Sequence, residues 1–131
     1  FNVVTCCEIL EHLPYEDFNK ALSAIFRVSK SYAVLSIPEA SRVYRLNVQI
    51  PRVGEIKKLV SLPGLRKAVP NFDGEHYWEI GMVNYSLDKI INDIKNMGFK
   101  IERTYRVFEI PYHRFFVLRK KIRGDYGRNK K

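Results

Sequence analysis

Phe1-Asn-Val-Val-Thr-Cys-Cys7 runs directly into Glu8-Ile-Leu-Glu11-His12-Leu13-Pro14, and the fold follows from how that junction is read. The first seven residues are apolar and β-favouring, the composition of a strand buried on both faces. Glu8, Glu11 and His12 then fall at i, i+3 and i+4, a spacing that a helical turn would gather on one face. Polar groups just past the carboxyl end of a parallel strand stand where open α/β sheets take their ligands.

Working outward, Pro14 is well placed to begin a helix. From Tyr15 to about Ser29, Phe18, Ala21, Leu22, Ile25 and Val28 recur at helical period. Glu16 and Asp17 in the first turn, and Arg27 and Lys30 near the end, suit the helix dipole. Tyr32-Ala-Val-Leu-Ser-Ile37 is a second buried run, ended by Pro38. Strand, helix and strand follow with the crossover length that a parallel βαβ unit requires.

Residues 39–85 are irregular, interrupted by Pro51, Pro63 and Pro70 and by Gly54, Gly64, Gly74 and Gly81. Glu55 to Leu62 reads as a short helix, and Ser41 to Ile50 fits helix or strand. Arg42, Arg45, Arg52, Lys57, Lys58, Arg66 and Lys67 make the first part basic. A long insertion after a strand serves as a lid or substrate-binding element, or as a structural cap with a solvated face. Ser86 then caps a helix carrying Leu87, Ile90, Ile91, Ile94 and Met97, with Gly98 as its stop. Lys100 to Ile110 reads as a strand, Pro111-Tyr112-His113 as a turn and Arg114 to Arg119 as an antiparallel neighbour.

The length of 131 residues fits one domain, and 46% hydrophobic with 28% charged content is a globular composition. No apolar run approaches the ~20 residues needed to span a bilayer. Cys6 and Cys7 are adjacent and poorly placed to pair, which fits a reducing cytoplasm. Of the net charge of +9, most sits at the end. Arg119 to Lys131 holds seven basic residues against Asp125 alone. This stretch is a solvated terminus or an electrostatic handle for nucleic acid or anionic lipid. Tyr126 is its only aromatic residue, a weak signal for nucleic acid.

With Phe26-Arg-Val-Ser-Lys30, Tyr32 to Pro38 and Met97-Gly-Phe99 added to the opening stretch, the chain resembles the C-terminal half of a class I S-adenosylmethionine-dependent methyltransferase. The resemblance reaches to about residue 120. It implies an α/β fold, a partial Rossmann-like methyltransferase sheet in the order strand-helix-strand, insertion, helix and terminal antiparallel hairpin. It divides the chain into a domain portion 1–120, with 39–85 as the substrate region, and a basic tail 121–131. The family's glycine-rich loop and its acidic ribose holder lie upstream of the strand that opens this chain, and no GxGxG occurs here. A fragment with a half-built cofactor site is therefore expected, its N-terminal half missing.

By the same resemblance, Cys6, Cys7 and Glu8 pass near the cofactor's methionine end. Read as residues alone, the two cysteines are small buried hydrophobes. Glu8, Glu11 and His12 have three readings: helix-start charges, a substrate contact or base at His12 or Glu8, or ligands of a divalent metal. Subfamilies that resemble this chain use an E-x-x-E-H for metal, while most methyltransferases with the string do not; His76 is the candidate further ligand. His76, in Gly74-Glu-His-Tyr-Trp-Glu-Ile-Gly81, is also a candidate to face a small-molecule methyl acceptor, with Tyr77 and Trp78 as packing residues in the alternative. His113 reads as a hydrogen-bonded turn residue. The rival to methyl transfer is a non-catalytic remnant, or a basic module that binds nucleic acid or another partner.

Overall fold

The computed structural model describes residues 1–62 and 67–121. Its main sheet has the order β1-β2-β6-β5, built from β1 (Val3–Cys7), β2 (Tyr32–Pro38), β5 (Phe99–Arg106) and β6 (His113–Lys120). β1 and β2 are parallel, joined through α1 (Tyr15–Val28). β6 lies between β2 and β5 and runs antiparallel to both. The expected hairpin is thus present, and its last strand is the inserted one.

Both helices cover one face of this sheet. Ala33, Leu35 and Ile37 of β2 share a buried cluster with Phe116 and Leu118 of β6 and Phe99 of β5. α1 brings Phe18, Leu22 and Ile25 to it, the stripe read from the sequence, and α2 (Leu87–Asn96) brings Ile90 and Ile94. Ser86 caps α2, its side chain accepting the Lys89 N–H at 3.2 Å. Gly98 follows with φ +107°, where an added Cβ would stand 3.1 Å from the Phe26 ring. That position needs glycine for both its backbone angle and its space.

Three expectations change. β1 is not buried on both faces. It pairs with β2 alone among the described residues, so Val3, Thr5 and Cys7 are exposed and only Cys6 is fully buried. Residues 55–62 are not helical. β3 (Val43–Ile50) and β4 (Gly54–Ser61) form a separate antiparallel ribbon, with Val48 opposite Ile56 and Asn47 opposite Lys57. Cross-strand pairing outweighs local propensity here. His113 is the first residue of β6, paired with Pro38, and not a turn residue. Most of the basic tail, 122–131, lies outside the described residues. Among those described, no helix is long and apolar enough to cross a membrane.

Candidate functional site

Three segments meet beyond the carboxyl ends of β1 and β2: the loop 8–13, the exit of β2 at 38–42, and the segment 75–81. The last is stitched beside β2 by a parallel bridge between Glu39 and Ile80. The Ile80 N–H donates to the Pro38 carbonyl and the Ala40 N–H to that of Ile80, each at 2.9 Å. Trp78, fully buried, locks the same segment to the loop, its indole N–H donating to the Leu13 carbonyl at 3.1 Å. The Tyr77 N–H donates to the Glu11 carbonyl at 2.9 Å. Residues 64 positions apart in sequence, His12 and His76, are thereby held side by side with ring centroids 5.0 Å apart.

The loop after β1 decides which of the predicted residues come together. Glu8 has φ +54°, a left-handed conformation, with its N–H 3.1 Å from the Ser36 hydroxyl. Helical geometry is confined to a single 3-10 turn, Leu10–His12. The i, i+3, i+4 face therefore does not include Glu8. Glu8 is exposed and points instead toward His113, with Oε1 4.0 Å from Nε2. The carboxylate oxygens of Glu11 and the ring nitrogens of His12 and His76 form the cluster, with ligand atoms within 4.8 Å of one another.

Glu11 is almost fully buried, and neither carboxylate oxygen has a hydrogen-bond partner among the described residues. A buried carboxylate without a partner is costly, and a group that supplies positive charge or donors would relieve that cost. The histidines beside it are oriented. His12 Nδ1 lies 2.7 Å from the Glu75 carbonyl oxygen, which can only accept, so that nitrogen carries the proton. His76 Nδ1 lies 3.2 Å from Glu79 Oε1, with the same consequence. Each neutral ring then presents an Nε2 lone pair. Asp73 sets the turn before His76, accepting from the Glu75 and His76 N–H groups at 2.9 and 2.8 Å. Those bonds, the His76 one foremost, hold its carboxyl below the usual range.

A carboxylate and two imidazoles suit a divalent ion of the manganese, iron or zinc type. The hydrogen bonds from His12 to a carbonyl and from His76 to a carboxylate are the kind that orient metal-binding histidines. The donor set and the partnerless Glu11 thus fit a metal.

Beside the cluster a cavity of about 550 Å³ opens, with His76, Glu79, Arg42, Tyr44, Tyr112 and His113 on its wall. His113 was missed as a site residue by sequence; its Nδ1 is buried without a partner among the described residues. The cavity floor is braced by Glu39. Its carboxylate receives Arg114 Nε at 2.6 Å and the Ser41 hydroxyl at 2.6 Å, with Arg106 Nη1 3.3 Å away. Burial pulls the Arg106 guanidinium below its usual range, Glu39 opposing the shift and Arg114 adding to it. Cys6 faces the helices, and burial raises its thiol pKa, with Cys7 and Glu11 adding smaller effects. Cys7 is exposed on the opposite face.

The fold is that of solved structures. Over 92% of its length the chain superposes on magnesium protoporphyrin IX methyltransferase from Synechocystis PCC 6803 with bound S-adenosylhomocysteine, at 15% identity and TM-score 0.52. The glycopeptide N-methyltransferase MtfA, complexed with S-adenosylhomocysteine, matches over 92% at 10% identity and TM-score 0.53. The chain has the class I methyltransferase fold. It spans 45% and 55% of the length of these two methyltransferases. No protein-family model and no curated protein matches the sequence.

Proposed function

We propose that the chain is the acceptor-side half of an S-adenosylmethionine-dependent methyltransferase acting on a small molecule. The observation that carries this reading is the cavity at the carboxyl edge of a methyltransferase-type sheet, with His76 and His113 on its wall and His12 packed against His76. S-adenosylmethionine supplies an electrophilic methyl group when bound. Cys7 and Glu8, at the exposed end of β1, border the place where its methionine end would lie, and the backbone of Cys6 completes that edge. No glycine-rich turn lies within these 131 residues, so in this reading the rest of the cradle belongs to sequence upstream of Phe1.

Methyl transfer asks the protein for position and, for a hydroxyl or amine acceptor, a proton sink. His76 lines the cavity and keeps its Nδ1 proton on Glu79, which leaves Nε2 to accept the acceptor's proton. Glu79 then steadies the imidazolium. His12, held by the Glu75 carbonyl, is the second candidate for that task. A second reading is favoured by the orphaned Glu11 carboxylate: Glu11, His12 and His76 hold a divalent cation. Such a cation would supply a Lewis acid for an acceptor oxygen, and Glu8 would not be among its ligands.

Calorimetry with S-adenosylhomocysteine tests the reading on two proteins: these 131 residues, and a version extended upstream through a strand and glycine-rich turn. Negligible heat from the first and saturable binding by the second are expected. Tight binding by the 131 residues alone would refute the half-site, and no binding by the extended protein would refute the enzyme. In the rival reading, a basic binding module, neither protein binds the cofactor and both retain a polyanion in a salt-sensitive manner.

A further inference from the structure

The β3–β4 ribbon has one apolar face and one polar face. On the apolar face the cross-strand rows are Tyr44 with Val60, Leu46 with Lys58, Val48 with Ile56 and Ile50 with Gly54. Its six large apolar side chains are each 37–52% exposed. The reverse face carries Arg45, Asn47, Gln49, Glu55 and Lys57, tied by an Asn47 to Glu55 hydrogen bond of 2.6 Å. This polar face leans on the body: Lys57 lies 4.0 Å from Glu109 and 5.7 Å from the centre of the Phe108 ring, and Leu59 is half-buried. Both faces of the ribbon are otherwise exposed, and the apolar one carries the larger hydrophobic area. A lone two-stranded ribbon is marginal in water, and an exposed apolar face of this kind marks a contact surface.

We propose that a second copy of this chain covers that face, the two ribbons stacking about a two-fold axis near Leu46 and Val48. Six side chains at the stated exposure present on the order of 500 Å² per copy, or about 1,000 Å² for the pair, the lower bound of a specific interface. The rows of the face are aliphatic apart from Tyr44 and Lys58, so the face can meet a copy of itself, as an isologous contact requires. It has one charge, Lys58, whose stem covers apolar surface while its ammonium reaches the rim. Arg45 and Lys57 stay on the outer sides of the stack. Their position keeps both charges out of the contact between the two copies. A mainly aliphatic face offers little for bases to stack on. Tyr44 belongs both to this face and to the cavity wall, so a copy seated on the ribbon also closes one side of the cavity.

Sedimentation equilibrium on the full chain, with and without Val48→Lys, provides the test. The wild type is expected at twice the chain mass at higher concentration. Val48→Lys is expected at the monomer mass with unchanged far-ultraviolet circular dichroism. Disulfide capture guards against a variant that fails to fold. In a Cys7→Ser background, Val48→Cys is expected to give covalent dimers under mild oxidation, and Gln49→Cys, on the reverse face, is not. A monomeric wild type, a dimer that survives Val48→Lys, or equal capture by the two cysteines would each overturn the proposal. So would association with anionic vesicles that is lost in Val48→Lys while the wild type stays monomeric.

Discussion

The Nδ1 of His12 and the main-chain carbonyl of Glu75 are 2.7 Å apart across 63 residues of sequence. This one bond fixes the imidazole's tautomer and ties the loop after β1 to the segment that brings His76. Behind it stands the Glu11 carboxylate, buried and without a partner among the described residues.

Glu11→Gln is therefore expected to act in opposite directions with and without metal. In metal-free buffer, removing an unpaired buried charge should leave stability unchanged or raise it by about 1–3 kcal/mol. Manganese or zinc should raise the melting temperature of the wild type and not that of the variant. Thermal melts of the two proteins, with metal and with chelator, check both halves. An equal metal-induced shift would remove Glu11 as a ligand.

Among the described residues, Glu39 is the single carboxylate between Arg106 and Arg114, with all three side chains largely buried. Glu39→Ala leaves two guanidiniums facing each other without an anion. A loss of about 3–5 kcal/mol is expected in urea denaturation. Arg106→Met in the same background should recover part of it, because one of the unpaired charges is then gone.

Gly98 and Gly54 both have positive φ, +107° and +122°, but differ in what surrounds them. Gly54→Ala meets no atom within 4 Å and should cost only the backbone penalty, about 1 kcal/mol. Gly98→Ala adds a methyl 3.1 Å from the Phe26 ring and should cost roughly 1–3 kcal/mol more. Paired denaturation curves separate the two contributions. Equal losses would mean that Phe26 yields freely.

Tyr15 donates its hydroxyl to Asp93, joining α1 to α2. Burial first, then the Asp93 bond and charge, raises its pKa well above the usual phenol value. A raised folded-state value means that the protonated phenol stabilises the fold. That contribution is fully present below about pH 10, the unfolded value, and is lost as pH rises from there. Tyr15→Phe should lower stability by about 1 kcal/mol at neutral pH. It should also flatten the decline in stability between about pH 10 and 11. Urea midpoints across that range provide the comparison.

The two helices and the order of the main strands are legible in the sequence because their signals are local. Phe18, Leu22 and Ile25 repeat at helical period, and Ser86 and Gly98 mark the ends of α2. The ribbon was harder to see. Tyr44, Leu46, Val48 and Ile50 alternate as a strand should, yet Ile56, Leu59 and Val60 also fit a helical stripe, and only pairing with β3 decides between them. At the site, Glu11, His12 and His76 could be singled out from residue type alone. Glu8 was grouped with them by a spacing that presumes a helix starting at residue 8, and its left-handed backbone removes it. His113 carries no local signal. Its place on the cavity wall comes from its register opposite Pro38, a contact between distant segments.

Trp78 is the only tryptophan in the chain, and it is packed edge-on against Tyr15 and Phe18 with its N–H on the Leu13 carbonyl. It lies two residues from His76 and in the same segment that braces His12. The protein thus contains its own fluorophore at the hinge of the site. Its emission is a label-free signal of whether the loop after β1 and the segment 75–81 are joined, readable without knowledge of the acceptor.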